Sequence, residues 1–502
     1  MYESIVHALG SVADRHPAKI AIADANHDHT YHELWSEIRA CAHYLNELKI
    51  KSGERVAIVL SNSFQYVVAY YGVLFSGGVV VALNTSASLN DIANWYKHCG
   101  AVLLISESDI VKDASLINFT GLLEPVVILN SANDTMSNDY WKNKISDLHF
   151  KLKIHEPEAS VAASIIYTSG TTGNPKGVTL THRNFMSNIY EIIKYLNLSE
   201  NDSIINILPF FYSYGNSIMH THLLSGATIF LENSFMYPVK ILQKIADTKA
   251  TGFSGVPATY SILLNRTNMM EYELSSLRYI TQAGGAMPPS NIQKLQKLLP
   301  HVNIYIMYGQ TEATARITYL EPSMLNSKMG SIGKPLHGLL VEIRDNMGLK
   351  VDAGVEGQLY VYGPSIMKGY WGDETLTSSV MDNGFLRTGD IGYMDSDGYI
   401  YLTGRLSDMI KVGGNRISPL EVEEIITRLE GIEEVAASGV DDEMLGQVVK
   451  VTIVRSVGSC ITEMQIKAFC RQQLAQYKIP KFIEFVEQLP KTSSGKVKRY
   501  LL

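Results

Sequence analysis

The chain has 502 residues, with 43 Lys+Arg against 50 Asp+Glu and a formal charge of −7. A hydrophobic fraction of 46% and a charged fraction of 19% exclude a disordered, collagen-like or coiled-coil chain. The acidic balance argues against general nucleic-acid binding. Cys41, Cys99, Cys460 and Cys470 are scattered and form no CxxC pair, which speaks against a disulfide framework or a zinc knuckle and for a reducing, cytoplasmic setting.

The length suggests about three domain-sized units. The opening MYESIVHALGSVADRHP mixes charges and histidines and lacks the basic and apolar regions of a signal peptide. RVAIVL (55–60), AVLLIS (101–106), PVVILN (125–130) and ATIFLEN (227–233) read as short buried strands. They alternate with helical stretches, so the spacing predicts α/β layers with mostly parallel sheets. The uncharged run YVVAYYGVLFSGGVVVAL (66–83) is cut by Ser76-Gly77-Gly78; it is expected as a buried helix, a turn and a strand, with no membrane span.

From about 340 the pattern changes. VEIRD, GQLYVYG and GYIYLTG are β-rich runs split by glycine and aspartate turns, as in a small antiparallel unit. Another small α+β unit follows Arg405, with its boundary at Asp408. Ser418, Pro419 and Glu421 suggest a capped helix start, Val422, Ile425, Ile426 and Leu429 its apolar stripe, and Gly431 its end. Runs 435–440 and 447–455 read as strands, and 463–476 as a helix.

The chemistry concentrates in AASIIYTSGTTGNPKG (162–177). A buried strand leads into a loop with Gly170, Gly173 and Gly177, whose backbone can bring N–H groups together. Thr168, Ser169, Thr171 and Thr172 add hydroxyls and Lys176 a charge, a donor set suited to polyphosphate. The P-loop pattern is not met, because Pro175 precedes Lys176 and Gly177 follows it. Further along come Tyr308-Gly309-Gln310-Thr311-Glu312 at a strand end, Leu386-Arg387-Thr388-Gly389-Asp390, Gly404-Arg405-Leu406-Ser407-Asp408 and Pro490-Lys491-Thr492-Ser493-Ser494-Gly495-Lys496.

These motifs, in this order, resemble the superfamily of adenylate-forming enzymes over essentially the whole chain. That superfamily includes acyl-CoA synthetases, adenylation domains and firefly-type luciferases. The resemblance implies a large N-terminal adenylation domain (1–407) and a small mobile C-terminal domain (408–502) hinged at Asp408. It implies ATP and Mg²⁺, and a phosphopantetheine thiol of coenzyme A or of an acyl carrier protein as co-substrate. By the same resemblance, Thr168, Ser169, Gly170, Thr171, Thr172, Gly173 and Lys176 hold phosphates, Thr311 the α-phosphate, and Glu312 the metal. Tyr308 and Gly284-Gly285-Ala286 face the adenine, Asp390 binds the ribose hydroxyls, and Arg405 contacts ribose or phosphate. Lys496 bridges the carboxylate and the α-phosphate, where an ammonium neutralises two approaching anions. Gly413 and Gly414 line the thiol tunnel. Ser407 stands where many relatives carry lysine.

The same resemblance puts Tyr212, Ser213, Tyr214 and Gly285 at the acid pocket. The run around Ser213 holds no aspartate to pair an α-ammonium, and an unpaired buried ammonium is costly. The expected substrate is therefore an aliphatic or fatty acid, with Tyr214, Asn216, His220 and His222 available to a polar tail. A stand-alone amino-acid or aryl-acid adenylation enzyme loading a carrier is the alternative. A P-loop-type phosphotransferase, a luciferase-like oxygenase and a non-catalytic module are further readings. No carrier domain follows Leu502, so a carrier partner is expected on a separate chain.

Overall fold

The computed structural model describes residues 4–25, 27–107, 126–129, 141, 157–168, 176–413, 415–491 and 497–502. Two large sheets form the body. One has seven strands in the spatial order Gly369–Tyr370, Lys176–Thr181, Ala162–Thr168, Val79–Ala82, Arg55–Val59, Leu103–Glu107 and Val126–Leu129. Its five strands from Ala162–Thr168 onward are parallel neighbours, and Lys176–Thr181 returns antiparallel. The other has nine strands. Asn303–Tyr308, Tyr279–Gln282, Gly252–Gly255, Ser203–Asn206, Thr228–Leu231 and Ile20–Ala23 form its parallel centre.

Parallel sheets need both faces covered; separate clusters around Phe253 and Ile280 and around Val59 and Val81 cover one face of each sheet, and a shared core covers the other. It joins Ile58, Val80 and Ile166 of the first sheet to Ile22, Ile204 and Ile229 of the second. Helices Ile5–Arg15, Tyr31–Glu47, Phe64–Phe75, His182–Leu196 and Ser213–Ser225 contribute to the same core. The uncharged 66–83 run resolves as expected. Helix Phe64–Phe75 is buried on every side, Ser63 caps it by accepting from the Tyr66 N–H at 3.0 Å, and strand Val79–Ala82 follows. No helix among the described residues is long and apolar enough to cross a membrane.

The β-rich run after 340 forms a small antiparallel sheet of Leu340–Arg344, Gly357–Tyr362, Phe385–Met394, Met381–Asp382 and Ile400–Arg405. A last sheet comprises Asn415–Ile417, Ile410–Val412, Gly446–Arg455, Ile432–Asp442 and Phe482–Val486. Helices Pro419–Ile426 and Glu463–Gln473 belong to this terminal unit, and its own core runs from Ile410 to Cys470.

One local expectation fails here. Ser418 occupies the N-cap position of Pro419–Ile426, but its side chain makes no cap bond and its hydroxyl has no partner. The residue leads straight out of strand Asn415–Ile417, and its side chain packs against Gly404. The helix also ends at Ile426, short of Leu429, which remains partly buried against the terminal core.

Candidate active site

The parallel strands Gly252–Gly255, Tyr279–Gln282 and Asn303–Tyr308 of the nine-stranded sheet all end on the same side. In α/β sheets the carboxyl ends of strands are where ligands bind. Tyr308 closes the last of these strands, and a single turn, Thr311–Ala313, follows. Gly309 is required at this corner, because an added Cβ would lie 1.8 Å from the Ala315 carbonyl oxygen. Beyond the turn, Thr314 and Ala315 both adopt left-handed backbone angles, with φ of 55° and 83°. Such strain in non-glycine residues persists only where surrounding contacts enforce it. Here the Thr314 hydroxyl donates to the Ser365 carbonyl at 2.6 Å.

That corner presents Thr311 and Glu312. The Thr311 hydroxyl donates to Ser213 Oγ at 3.2 Å, at the start of helix Ser213–Ser225. Glu312 Oε1 accepts from the Tyr370 hydroxyl at 2.9 Å. Burial, followed by the Glu312 charge, pushes the Tyr370 phenol up, so it stays a donor. Glu312 and Thr311 offer only oxygen ligands, the donor type a hard cation such as Mg²⁺ takes, and the second carboxylate oxygen of Glu312 stands outside the Tyr370 bond. The residues present therefore fit the metal.

A second carboxylate lies nearby. Asp390 sits directly opposite Arg405 in the antiparallel pair Phe385–Met394 and Ile400–Arg405. Its Oδ1 is 3.1 Å from Arg405 Nε, and its Oδ2 accepts from the Tyr308 hydroxyl at 2.5 Å. The Tyr308 phenol is raised by burial and then by Asp390. Arg405 is pulled down by burial, but Asp390, Tyr308, Asp408 and Glu312 outweigh that and raise it. Glu312, Asp390, Tyr308 and Arg405 thus share one electrostatic neighbourhood.

The structure places the other expected residues as follows. Thr168 and Lys176 face each other across the antiparallel pair at either end of the glycine-rich segment. Ser169, Gly170, Thr171, Thr172 and Gly173 lie outside the described residues, as do Gly414 and Lys496. Gly284, Gly285 and Ala286 form an exposed shelf after strand Tyr279–Gln282, fixed by Gln282 Nε2 donating to the Gly285 carbonyl at 2.8 Å. Tyr212 precedes helix Ser213–Ser225, and its hydroxyl accepts from Asn84 at 3.4 Å. The Tyr214 hydroxyl is within 2.8 Å of Thr281 Oγ1, and Arg316 lies over the Tyr214 ring. His222 is satisfied by the Ile218 carbonyl and Tyr279, whereas Nε2 of His220 has no partner. Gly413 is exposed and donates its N–H to the Leu445 carbonyl at 2.8 Å. Asp408 is exposed, 3.8 Å from Arg499. Tyr370 is a site residue that sequence reasoning missed, as no motif spacing links it to Glu312.

Residues 9–371 match the model of the AMP-binding enzyme family, and residues 421–496 that of the AMP-binding enzyme C-terminal domain. The chain belongs to the AMP-binding enzyme family. It is an AMP-forming acid–thiol ligase by class, with ATP, Mg²⁺ and a pantetheine thiol as the co-substrates of that chemistry. The chain is 32% identical to the long-chain-fatty-acid–CoA ligase of Bacillus subtilis, over 98% of its own length and 92% of the relative's. It is 31% identical to the 2-succinylbenzoate–CoA ligase of Bacillus licheniformis, over 98% of each chain. Among solved structures, o-succinylbenzoate coenzyme A synthetase from Bacillus subtilis in complex with ATP and magnesium ion superposes with a TM-score of 0.86. The two are 27% identical, over 99% of this chain and 98% of that one.

Proposed function

We propose that the chain activates an aliphatic carboxylic acid with ATP and passes the acyl group to a phosphopantetheine thiol, on coenzyme A or on a separate carrier protein. The convergence of Thr311 and Glu312 with Asp390, Tyr308 and Arg405 at the strand ends carries this reading. One acid carboxylate oxygen attacks the α-phosphorus, the bond from that phosphorus to the α,β-bridging oxygen breaks, and pyrophosphate leaves with the bridging oxygen. The thiol sulfur then attacks the acyl carbon, loses its proton, and AMP leaves.

Each step moves negative charge between phosphate and carboxylate oxygens, so oriented donors and cations are what catalysis requires. Asp390 has two oxygens to accept from a vicinal diol. Thr311 would hold the α-phosphate, and the segment from Thr168 to Lys176 the outer phosphates. Glu312 would hold Mg²⁺, which when bound supplies positive charge against the phosphates. Lys496 would bring its ammonium to the carboxylate during the first step, and Gly413 and Gly414 would leave room for the pantetheine in the second. The separate core of the terminal unit supports a division into 1–407 and 408–502, with Asp408 as the pivot. A reducing cytoplasm suits the free thiol acceptor.

Acid-dependent exchange of labelled pyrophosphate into ATP tests the reading, with AMP as the nucleotide product once a thiol is added. Absence of exchange over fatty, aryl, β-amino and α-amino acids, with folded protein, overturns it. ADP as product would instead identify a phosphotransferase.

A further inference from the structure

The edge of the nine-stranded sheet remote from Tyr308 carries another cluster of donor groups. Strands Ile20–Ala23 and Asp28–Thr30 pair there as an antiparallel hairpin. Asp24 closes its turn, donating its N–H to the His27 carbonyl and accepting from the His27 N–H through Oδ1, both at 3.0 Å. His27 and His29 are two residues apart on the second arm, a spacing that puts both side chains on one face, and their ring centroids are 4.6 Å apart. Strand Asn303–Tyr308 lies several strands away across the sheet, on the order of 30 Å at the usual strand spacing.

Glu33 joins the two rings from the next helix. Thr30 caps helix Tyr31–Glu47, and in that capping box Glu33 Oε2 accepts from the Thr30 N–H at 2.7 Å and from its hydroxyl at 3.0 Å. These bonds fold the carboxylate back toward the hairpin. One donor atom each from His27, His29 and Glu33 then lie within 4.8 Å of one another. The capping box accounts for Glu33 but leaves His29 unexplained. The His29 ring stacks on Phe64 and is only 4% exposed, and its Nδ1 is buried with no hydrogen-bond partner. Buried polar atoms in native proteins are nearly always paired, and an exception calls for an explanation. The other ring nitrogen, Nε2, stands 3.7 Å from Asp24 Oδ2. A carboxylate beside one ring nitrogen is the usual way to orient a metal-binding histidine, whose second nitrogen takes the ion. His27 is exposed and gives an ion a way in.

We infer that His27, His29 and Glu33 bind a divalent transition-metal ion of the zinc type, at a site separate from the nucleotide. Two imidazoles and a carboxylate are a recurrent three-ligand set for zinc, with water in the fourth position. Imidazole nitrogens set the site apart from Mg²⁺ and Ca²⁺, which take oxygen ligands. The carboxylates of Glu33 and Asp24 match the charge of a dication. Ligand bonds of about 2.0–2.2 Å require the three donor atoms to draw together on binding. The ion then pins the hairpin to the first turn of helix Tyr31–Glu47. Its role is to brace this edge of the body, and the adenylation reading stands or falls without it.

The test titrates the chelator-treated full chain, without ATP or Mg²⁺, with zinc chloride and follows heat of binding and thermal melting. Wild type is expected to take up zinc at this site and to melt higher when it is saturated, as an ion that prefers the folded state must cause. His27→Ala removes an exposed ligand, and Glu33→Gln keeps a capping side chain while removing the charge. Each should weaken that binding by at least about tenfold, the scale seen even for groups that only orient a ligand, and each should reduce the zinc-induced rise in melting temperature. No zinc binding by wild type overturns the inference. So does binding of equal strength in wild type and both variants, which would put the ion elsewhere on the chain. Should Glu33→Gln fail to fold, the wild-type titration and His27→Ala still decide. Pyrophosphate exchange is expected to persist in His27→Ala, so the result does not depend on the activity.

Discussion

In the large body, the carboxylates of Glu312 and Asp390 are held by Tyr370, Tyr308 and Arg405, which reach them from other strands and loops. In the terminal unit, the charged groups pair mostly with one another. Lys491 bonds Glu434, Lys478 bonds Glu421, and Arg499 bonds Glu423. The body's pairs are set by strand ends and a strained turn, so its carboxylates form a fixed receptor. The terminal pairs depend on long flexible side chains, several of them open to water, where ionic contacts are weak and salt-screened. The contrast suits a fixed nucleotide site served by a unit that repositions.

The comparison breaks most sharply at Lys496, the terminal residue proposed to act inside the body's site. Lys496→Ala should slow adenylation by about 10²–10³-fold, in the range for removing a charge-stabilising donor. Transfer from preformed acyl-adenylate should be far less affected, and single-turnover measurement of the two half-reactions checks this. If both fall equally, the division of labour is wrong. Gly309→Ala strikes the body alone. Its Cβ would collide with the Ala315 carbonyl and displace Thr311 and Glu312, and a shift near 1 Å costs about 10²-fold. Exchange should fall by that order while the terminal unit's hydrogen-exchange protection is unchanged.

Acid should separate the two regions next. His220 and His222 are buried in the body, and burial first of all lowers their pKa to about 3 and about 4. Folded, they stay neutral where the unfolded chain, with an ordinary value of 6.5, takes up protons. Their contribution is therefore whole above pH 6.5 and lost as pH falls from there toward 4. The loss is about 1.4 kcal/mol per histidine per pH unit. The terminal unit from 408 onward contains no histidine. Melting at pH 7 and pH 5 should lower the body's transition far more than the terminal one, and His222→Gln should reduce the difference.

The smallest effect concerns Arg499, whose guanidinium engages both oxygens of Glu423 and the Ala437 carbonyl. Arg499→Met should cost the terminal unit about 1–3 kcal/mol, read from urea unfolding followed by hydrogen exchange. The body's protection should not change.

Much of this architecture was legible in the chain. The strand at 55–60, the split of 66–83 and the β-rich runs after 340 each follow from short-range apolar pattern. The motifs around Thr311, Asp390 and Arg405 were legible as well, because each sits where a strand ends or pairs. Tyr370 was not, as it meets Glu312 only through folding, across 58 positions. The unpaired hydroxyl of Ser418 also escaped, since a capping sequence does not reveal that the preceding strand turns the side chain toward Gly404. Asn216 was visible as one of several polar residues in the run that forms helix Ser213–Ser225. That its amide faces the Tyr70 hydroxyl depends on three-dimensional neighbours.

The engagement of Asp390 with Tyr308 and Arg405 bears on nucleotide choice. With the diol role proposed above, an arriving sugar must trade places with the Tyr308 hydroxyl and share the carboxylate with Arg405, so association is an exchange more than a gain. A 2′-deoxy sugar brings a single hydroxyl to that trade and leaves it half completed. The resting pair would then act as a checkpoint, turning away DNA-type triphosphates before any acid is committed.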